Sequence, residues 1–261
     1  MTLDETALAE AYDAARAAED AGDIATATRL FRRCLELDPA DHCGVVMRLA
    51  RYGKAAPVTA PPSYVATLFG QHAAEFDAIL VGDLGYDVPA IARRLAGPYL
   101  RAPVRLLDLG CGTGLAGVAF DDVAGDMIGV DLAEEMLEMT DAREIYGDLY
   151  VAEAVNFLEE WDEAPFDVIV ATDVWPYIGD LTAFAAAAAR CLTPQGLLIA
   201  STERAEEGWR VTDTQRFAHA PAYVDAIHRA AGFTTLAVEP VTVRMEEGVP
   251  VPGDVFVLRG A

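Results

Sequence analysis

The chain has 261 residues, 53% of them apolar, which suits one α/β domain with an appendage, or two small domains, and argues against disorder. Its formal net charge of −23 opposes nucleic acid and anionic membrane as partners, because both need a positive footprint. No apolar run is long enough to cross a bilayer, and the acidic, Ala-rich start lacks the basic region and apolar stretch of a signal peptide, so a cytoplasmic protein is expected.

In chain order, residues 4–53 are expected to be helical. Leu8, Ala11, Tyr12, Ala15 and Ala18 recur at three- and four-residue spacing. Gly22 and Asp23 interrupt the pattern, and a second helix carries Ala27, Leu30, Phe31, Cys34 and Leu35 before Asp38-Pro39 closes it. The Gly22, Ala27, Phe31, Pro39 spacing resembles one tetratricopeptide repeat. One repeat forms no solenoid, so residues 1–54 are expected to be a helical hairpin packed on the main domain, with protein contact as the alternative role. Residues 55–62, rich in Ala and Pro, have the composition of a linker. Two more helices follow, one carrying Tyr64, Leu68, Phe69, His72, Phe76, Asp77 and Leu80, the other running from Val88 to Leu95.

From Val104 onward strands and helices alternate. Strands are expected at 104–109, 127–131, 148–152, 167–172, 196–201, 235–245 and 252–259, with helices at 115–121, 133–142, 154–161, 181–192 and 220–231. Alternation implies a parallel, doubly wound Rossmann-like sheet of seven strands with helices on both faces. The last two strands are joined by residues 246–253, too few for a crossover helix, so this pair is expected to be antiparallel.

The run LLDLGCGTG at 106–114 places an apolar strand before a tight turn bearing Gly110, Gly112 and Gly114. Such a turn lets backbone approach a nucleotide-like ligand. Asp131 ends the next strand, where a carboxylate accepts hydrogen bonds from ribose hydroxyls; alone, it would be an ordinary helix cap. Glu153 and Ala154, after the third strand, suit an adenine edge, although a lone acid there is more often a first-turn helix residue. Thr172 and Asp173 end an apolar strand that leads into Trp175 and Tyr177, where open α/β sheets bind ligands; a core role for Trp175 is the alternative. Turn and acid together indicate an adenosine-bearing ligand and do not separate NAD from S-adenosylmethionine.

The order of these pieces resembles the class I S-adenosylmethionine-dependent methyltransferases. The matching blocks are 106–114, 127–137, 151–157, 166–177 and 189–200, and the resemblance spans about 64–259. The hairpin followed by residues 64–77 is similar to a bacterial subgroup with an N-terminal tetratricopeptide-like segment. The resemblance implies a methyltransferase domain over 63–261, S-adenosylmethionine as cofactor and S-adenosylhomocysteine as product. It implies Asp108 and the Gly110–Gly112–Gly114 turn near the methionine part, Asp131 on the ribose and Leu132 on the adenine. It further implies Glu153 and Ala154 at the adenine edge, and Thr172 and Asp173 closing the site. Many members have Asp where Glu153 stands, and the usual Pro-Gly-Gly turn is Pro194-Gln195-Gly196 here.

Methyl transfer needs a base only when the acceptor is protonated. His219, before the last long helix, is the candidate base, with an inert turn histidine as the alternative. His72 is a candidate cofactor cap, and His228 is expected to be exposed in mid-helix. Trp175, Tyr177, Trp209 and Tyr223 are candidate pocket residues for a small, partly apolar acceptor with an oxygen or nitrogen nucleophile. Neither the four cysteines nor the histidines have metal-ligand spacing, so no metal is expected. The competing possibilities are an NAD-linked oxidoreductase on a similar sheet and a non-catalytic scaffold that docks partners through residues 1–54.

Overall fold

The computed structural model describes residues 4–71, 73 and 85–261. Three helices open the chain: α1 (Glu5–Asp20), α2 (Ile24–Leu37) and α3 (Val45–Arg51). The first two begin where an aspartate accepts from a backbone N–H three residues on, Asp4 from Ala7 and Asp23 from Thr26, each at 3.0 Å. Asp41 holds the start of α3 from further back, accepting from Val45 at 2.7 Å and Val46 at 2.9 Å, four and five residues on. Leu8, Ala15, Ala27, Phe31, Cys34, Val45 and Leu49 bury together and hold the three helices as one unit. All four cysteines are free thiols.

Residues 58–60, linker-like in composition, are hydrogen-bonded in place. Ala60 donates to the Tyr177 carbonyl at 2.9 Å, while Gly179 and Asp180 donate to the Val58 carbonyl at 2.8 and 3.0 Å. α4 (Pro62–Gly70) and α5 (Val88–Ala96) follow. The expected continuation of the α4 helix through His72, Phe76, Asp77 and Leu80 lies outside the described residues.

The sheet contains the seven expected strands: β1 (Val104–Leu109), β2 (Ala124–Asp131), β3 (Asp148–Val151), β4 (Phe166–Ala171), β5 (Leu192–Arg204), β8 (Thr234–Glu246) and β9 (Val249–Arg259). Their order is β3-β2-β1-β4-β5-β9-β8; β1 to β5 are parallel, and β9 runs antiparallel to both neighbours. Glu247 and Gly248 alone join β8 to β9, with φ of +50° and +78°, the positive values that a two-residue hairpin turn demands. Period-two alternation splits β1 between two core layers. Leu107 and Leu109 pack with Phe157, Phe184 and Val224, from α8 (Ala154–Glu160), α9 (Thr182–Cys191) and α10 (Pro221–Ala230). Val104 and Leu106 pack with Ala92, Ala96, Ala116 and Phe120, from α5 and α6 (Leu115–Phe120). α7 (Glu134–Asp141) lies between β2 and β3 in the chain. No described helix is long and apolar enough to cross a membrane.

Two short strands are additional to the expected seven. β6 (Trp209–Val211) and β7 (Phe217–His219) form an antiparallel hairpin, and β7 extends the sheet by pairing in parallel with Glu203 and Arg204 of β5. Glu203 pairs with Gly253 of β9 as well, so β7 takes up the edge that β4 leaves at Ala200. Three-residue strands in a polar stretch carry too short an alternation to be found by pattern.

His228 corrects the expectation of exposure. It is fully buried, its Nδ1 lies 2.8 Å from the Val224 carbonyl, and its ring centroid is 4.9 Å from that of Trp175. Val224 and His228 are four apart and share the covered face of α10.

Candidate functional site

The turn after β1 passes through Gly110, Gly112 and Gly114 at φ of +63°, +55° and +84°, in the left-handed region that favours glycine. A Cβ on Gly110 would also lie 2.6 Å from Val174 Cγ2, so a side chain there is blocked twice over. The turn is held from three sides. Gly112 N–H donates to Asp131 Oδ2 at 2.8 Å, Thr140 Oγ1 donates to the Gly112 carbonyl at 2.6 Å, and Arg143 Nε donates to the Thr113 carbonyl. Asp131 Oδ1 accepts from Ala133 N–H at 2.9 Å. Burial raises the Asp131 carboxyl above the usual carboxylate range, and the N–H bonds from Ala133, Gly112 and Leu132 oppose that shift. Each carboxylate oxygen keeps acceptor capacity for a further donor.

Gly117 and Gly129 have a different purpose. A Cβ on Gly117 would lie 2.1 Å from Tyr146 Oη, and one on Gly129 would lie 3.1 Å from the Tyr146 ring. The two glycines make room for Tyr146, whose hydroxyl donates to Asp108 Oδ2 at 2.6 Å. Asp108 is fully buried with Oδ1 unpartnered, and burial pushes its carboxyl up to about 7.

These elements converge on a cleft of about 920 Å³, its mouth included, at the C-terminal ends of the parallel strands. Gly110, Gly112, Asp131, Leu132, Glu153, Ala154, Thr172, Asp173 and Tyr177 line it, so most of the candidate residues meet on one surface. Glu153 also caps α8, its Oε2 accepting from Asn156 N–H at 2.8 Å. Pro62, Val65 and Phe69 of α4 and its start, with Thr59 and Ala60, form the facing wall. Asp108 and Gly114 sit behind the lining.

Four candidates lie off the cleft. His219 is part of β7 and fully buried: Nδ1 is 2.7 Å from Thr202 Oγ1, and Nε2 is 2.9 and 3.1 Å from the Ile178 and Gly179 carbonyls. The carbonyls only accept, so Nε2 carries the proton and Nδ1 accepts from Thr202. Burial lowers its pKa to about 4. The β6–β7 hairpin draws this histidine into the sheet, away from the place expected of a base. Trp175 is fully buried against Phe184, His228 and Phe256. Trp209 packs its edge on Phe217 with ring centroids 5.5 Å apart, and Tyr223 Oη accepts from Leu181 N–H at 3.0 Å. His72 lies outside the described residues.

Thr140, Arg143 and Tyr146 escaped sequence reasoning. For Tyr146 a signal existed: glycines inside a helix and a strand mark places where something large comes close. Among the described residues no group of three or more His, Cys, Asp or Glu is placed to hold a metal ion.

A family model described as a methyltransferase domain matches residues 83–238, more than half of the chain. The chain belongs to this methyltransferase family. A ubiquinone biosynthesis O-methyltransferase of Azorhizobium caulinodans is 30% identical over 126 residues, 48% of this chain and 47% of that protein. The chain spans less than half the length of such curated relatives. Among solved structures, the Burkholderia thailandensis 1,6-didemethyltoxoflavin-N1-methyltransferase aligns over 79% of this chain and 92% of its own, at 21% identity and a TM-score of 0.59. The N-methyltransferase NodS of Bradyrhizobium japonicum aligns over 75% and 98%, at 16% identity and a TM-score of 0.58. Both share the fold with this methyltransferase, and both were solved with S-adenosylhomocysteine. None of these relatives supports an oxidoreductase or a non-catalytic scaffold.

Proposed function

We propose that this methyltransferase binds S-adenosylmethionine in the cleft and that a methyl group passes from it to an oxygen or nitrogen of a small-molecule acceptor. The observation that carries the proposal is convergence: the glycine turn after β1, Asp131 after β2, Ala152–Ala154 after β3 and Thr172-Asp173 after β4 line one cleft. The sulfonium supplies an electrophilic methyl, so the protein chiefly binds, orients and excludes water. Asp131, fixed by two backbone N–H groups, is placed to accept from ribose hydroxyls. The open turn at Gly110 and Gly112 lets backbone approach the methionine part, and Leu132, Glu153 and Ala154 flank the adenine. Asp108, held by the Tyr146 hydroxyl behind the lining, stays on the methionine side in this proposal.

The finer kinship, to methyltransferases with an N-terminal tetratricopeptide-like segment, rests on the α1–α2 pair and its Gly22, Ala27, Phe31, Pro39 spacing. In this proposal residues 1–54 are that unit, 55–62 the connection and 63–261 the methyltransferase domain. A cytoplasmic location suits a chain with four free thiols. Calorimetric titration of the full chain with S-adenosylhomocysteine tests the proposal. One-to-one binding is expected, and NADH binding in its place would overturn it.

A further inference from the structure

Glycines in three different elements make room for one ring. A Cβ on Gly114 of the turn would lie 3.3 Å from Tyr146 Cε2, one on Gly129 of β2 would lie 3.1 Å from its Cδ1, and one on Gly117 of α6 would strike its hydroxyl. Phenylalanine would fill the same space. What tyrosine adds is the Oη–H, which donates to Asp108 Oδ2 at 2.6 Å.

Tyr146 belongs to a stretch, from the end of α7 toward β3, that grips the turn at intervals of three residues. Thr140 Oγ1 donates to the Gly112 carbonyl at 2.6 Å, Arg143 Nε donates to the Thr113 carbonyl, and Tyr146 reaches Asp108. The stretch is itself fixed. Glu144 takes a left-handed φ of +57° and its N–H donates to the Asp141 carbonyl at 3.0 Å. Gly147 N–H donates to the Met127 carbonyl of β2 at 2.8 Å, so the backbone on either side of Tyr146 is tied down.

Asp108 stands in β1 two residues before Gly110, which lines the cleft. It is fully buried, and its second oxygen, Oδ1, has no hydrogen-bond partner. A buried carboxylate held by so few donors destabilises a fold more than an apolar side chain of like size would, so packing does not account for it. A negative charge there acts through the low-dielectric turn on a cation lying above it, without touching it. We propose that Tyr146 is a positioning residue for the cofactor: its hydroxyl holds the Asp108 carboxylate behind the glycine turn, and from there the carboxylate draws the ammonium of the ligand's methionine end onto the turn. This rests on the S-adenosylmethionine binding proposed above.

Burial pushes Asp108 up to about 7; the Tyr146 bond opposes that shift, the Asp131 charge adds to it, and the Gly117 N–H opposes it. The other titratable groups facing Asp108 are Cys111 of the turn and Tyr86, ahead of α5. Burial raises both, and Tyr146 as well, so all three stay protonated at neutral pH. A ligand ammonium favours the ionised Asp108, so affinity should rise with pH and level off once the carboxyl is ionised in the free protein.

The test is calorimetric titration of the full chain, from about pH 6 to about pH 8, with two ligands. One is S-adenosylhomocysteine; the other is 5′-methylthioadenosine, which keeps the adenosine but lacks the amino-acid end. In the wild type, S-adenosylhomocysteine affinity is expected to rise and level off near 7, while 5′-methylthioadenosine affinity stays nearly flat. Tyr146→Phe is expected to weaken S-adenosylhomocysteine roughly tenfold at neutral pH, to move the levelling to higher pH, and to leave 5′-methylthioadenosine unchanged. Asp108→Asn should abolish the pH dependence, and adding Tyr146→Phe to it should change affinity little, because the hydroxyl acts through the carboxylate. Thermal melting without ligand sets a temperature at which all four proteins are folded. A tyrosine that only packs gives a different pattern: both ligands weaken together, and the loss persists on the Asp108→Asn background. That pattern, or an unchanged affinity and pH profile in Tyr146→Phe, overturns the proposal and leaves the methyl-transfer function standing. Absence of S-adenosylhomocysteine binding to the wild type would refute that function, and this inference with it.

Discussion

Two polar regions stand side by side at the C-terminal ends of the strands, and they differ in what their groups are bonded to. Around β1, β2 and β4, Asp131 and Asp173 line a cleft and keep acceptor capacity beside it. Around β5 and the β6–β7 hairpin, His219 and Glu203 are equally polar but spend themselves on Thr202, Ile178, Gly179 and Arg244. The first region is arranged for a ligand and the second holds the sheet extension together. Polar residue types alone do not distinguish them; unspent capacity beside accessible space does.

The sharpest break of this contrast is Arg244→Ala. It strips Glu203, 4% exposed, of its 2.7 Å partner and leaves only Arg216 at 3.7 Å. A loss of about 3–5 kcal/mol in unfolding free energy is expected, read by urea denaturation, with S-adenosylhomocysteine affinity unchanged. An effect on affinity comparable to the effect on stability would erase the division between the regions.

Next comes His219, which burial holds at about 4, well below the 6.5 of an ordinary histidine. Below pH 6.5 the unfolded chain takes up a proton that the folded one refuses. The stability from keeping this ring neutral is therefore complete above pH 6.5 and is lost as pH falls toward 4, about 3 kcal/mol in all. Asp108, raised to about 7, acts in the opposite sense: its contribution is complete below about 4 and is lost as pH rises to 7. Comparing wild type with His219→Gln by denaturation at several pH values isolates the histidine, and the difference between the two should change across pH 4–6.5. Parallel profiles would mean that the ring is not held neutral.

Asp131→Ala belongs to the other region. It should weaken S-adenosylhomocysteine binding by roughly 1.5–3 kcal/mol, the range for hydrogen bonds to a charged group, as measured by calorimetry. Unchanged affinity would remove Asp131 from the ligand. The smallest effect is expected from Arg94→Ala. Its two bonds to Glu239 are well formed, at 2.6 and 3.1 Å, but exposed, and solvent screening leaves such pairs little effect on stability. A clear drop in melting temperature would show that exposed ion pairs rival the buried ones here.

Much of the fold was legible because its signals are local. The seven strands and their intervening helices follow from apolar runs and breaks, and the antiparallel finish follows from a connection too short for a helix. The cleft lining at the strand ends was legible for the same reason: the Gly110–Gly114 turn and the acids at strand ends are defined by neighbours in the chain. The lining beyond β4 was not. Trp175 and Tyr177 are two residues apart, yet one is core and the other lines the cleft. Which way each faces depends on α10, α4 and the hairpin, and composition does not report those contacts.

The sequence by itself determined where the parallel strands end, which glycines open the turn, and which acid closes β2, since backbone propensity and alternation act over a few residues. Only the tertiary structure decided that Tyr146 occupies the space of Gly117 and Gly129 to reach Asp108, 38 residues away. It also decided that His219 is spent on a carbonyl 41 residues away, and that Thr59 and Ala60 line a cleft. The physical reason is the same in each case. A polar group's role is set by the partner that satisfies it, and here those partners come from distant parts of the chain.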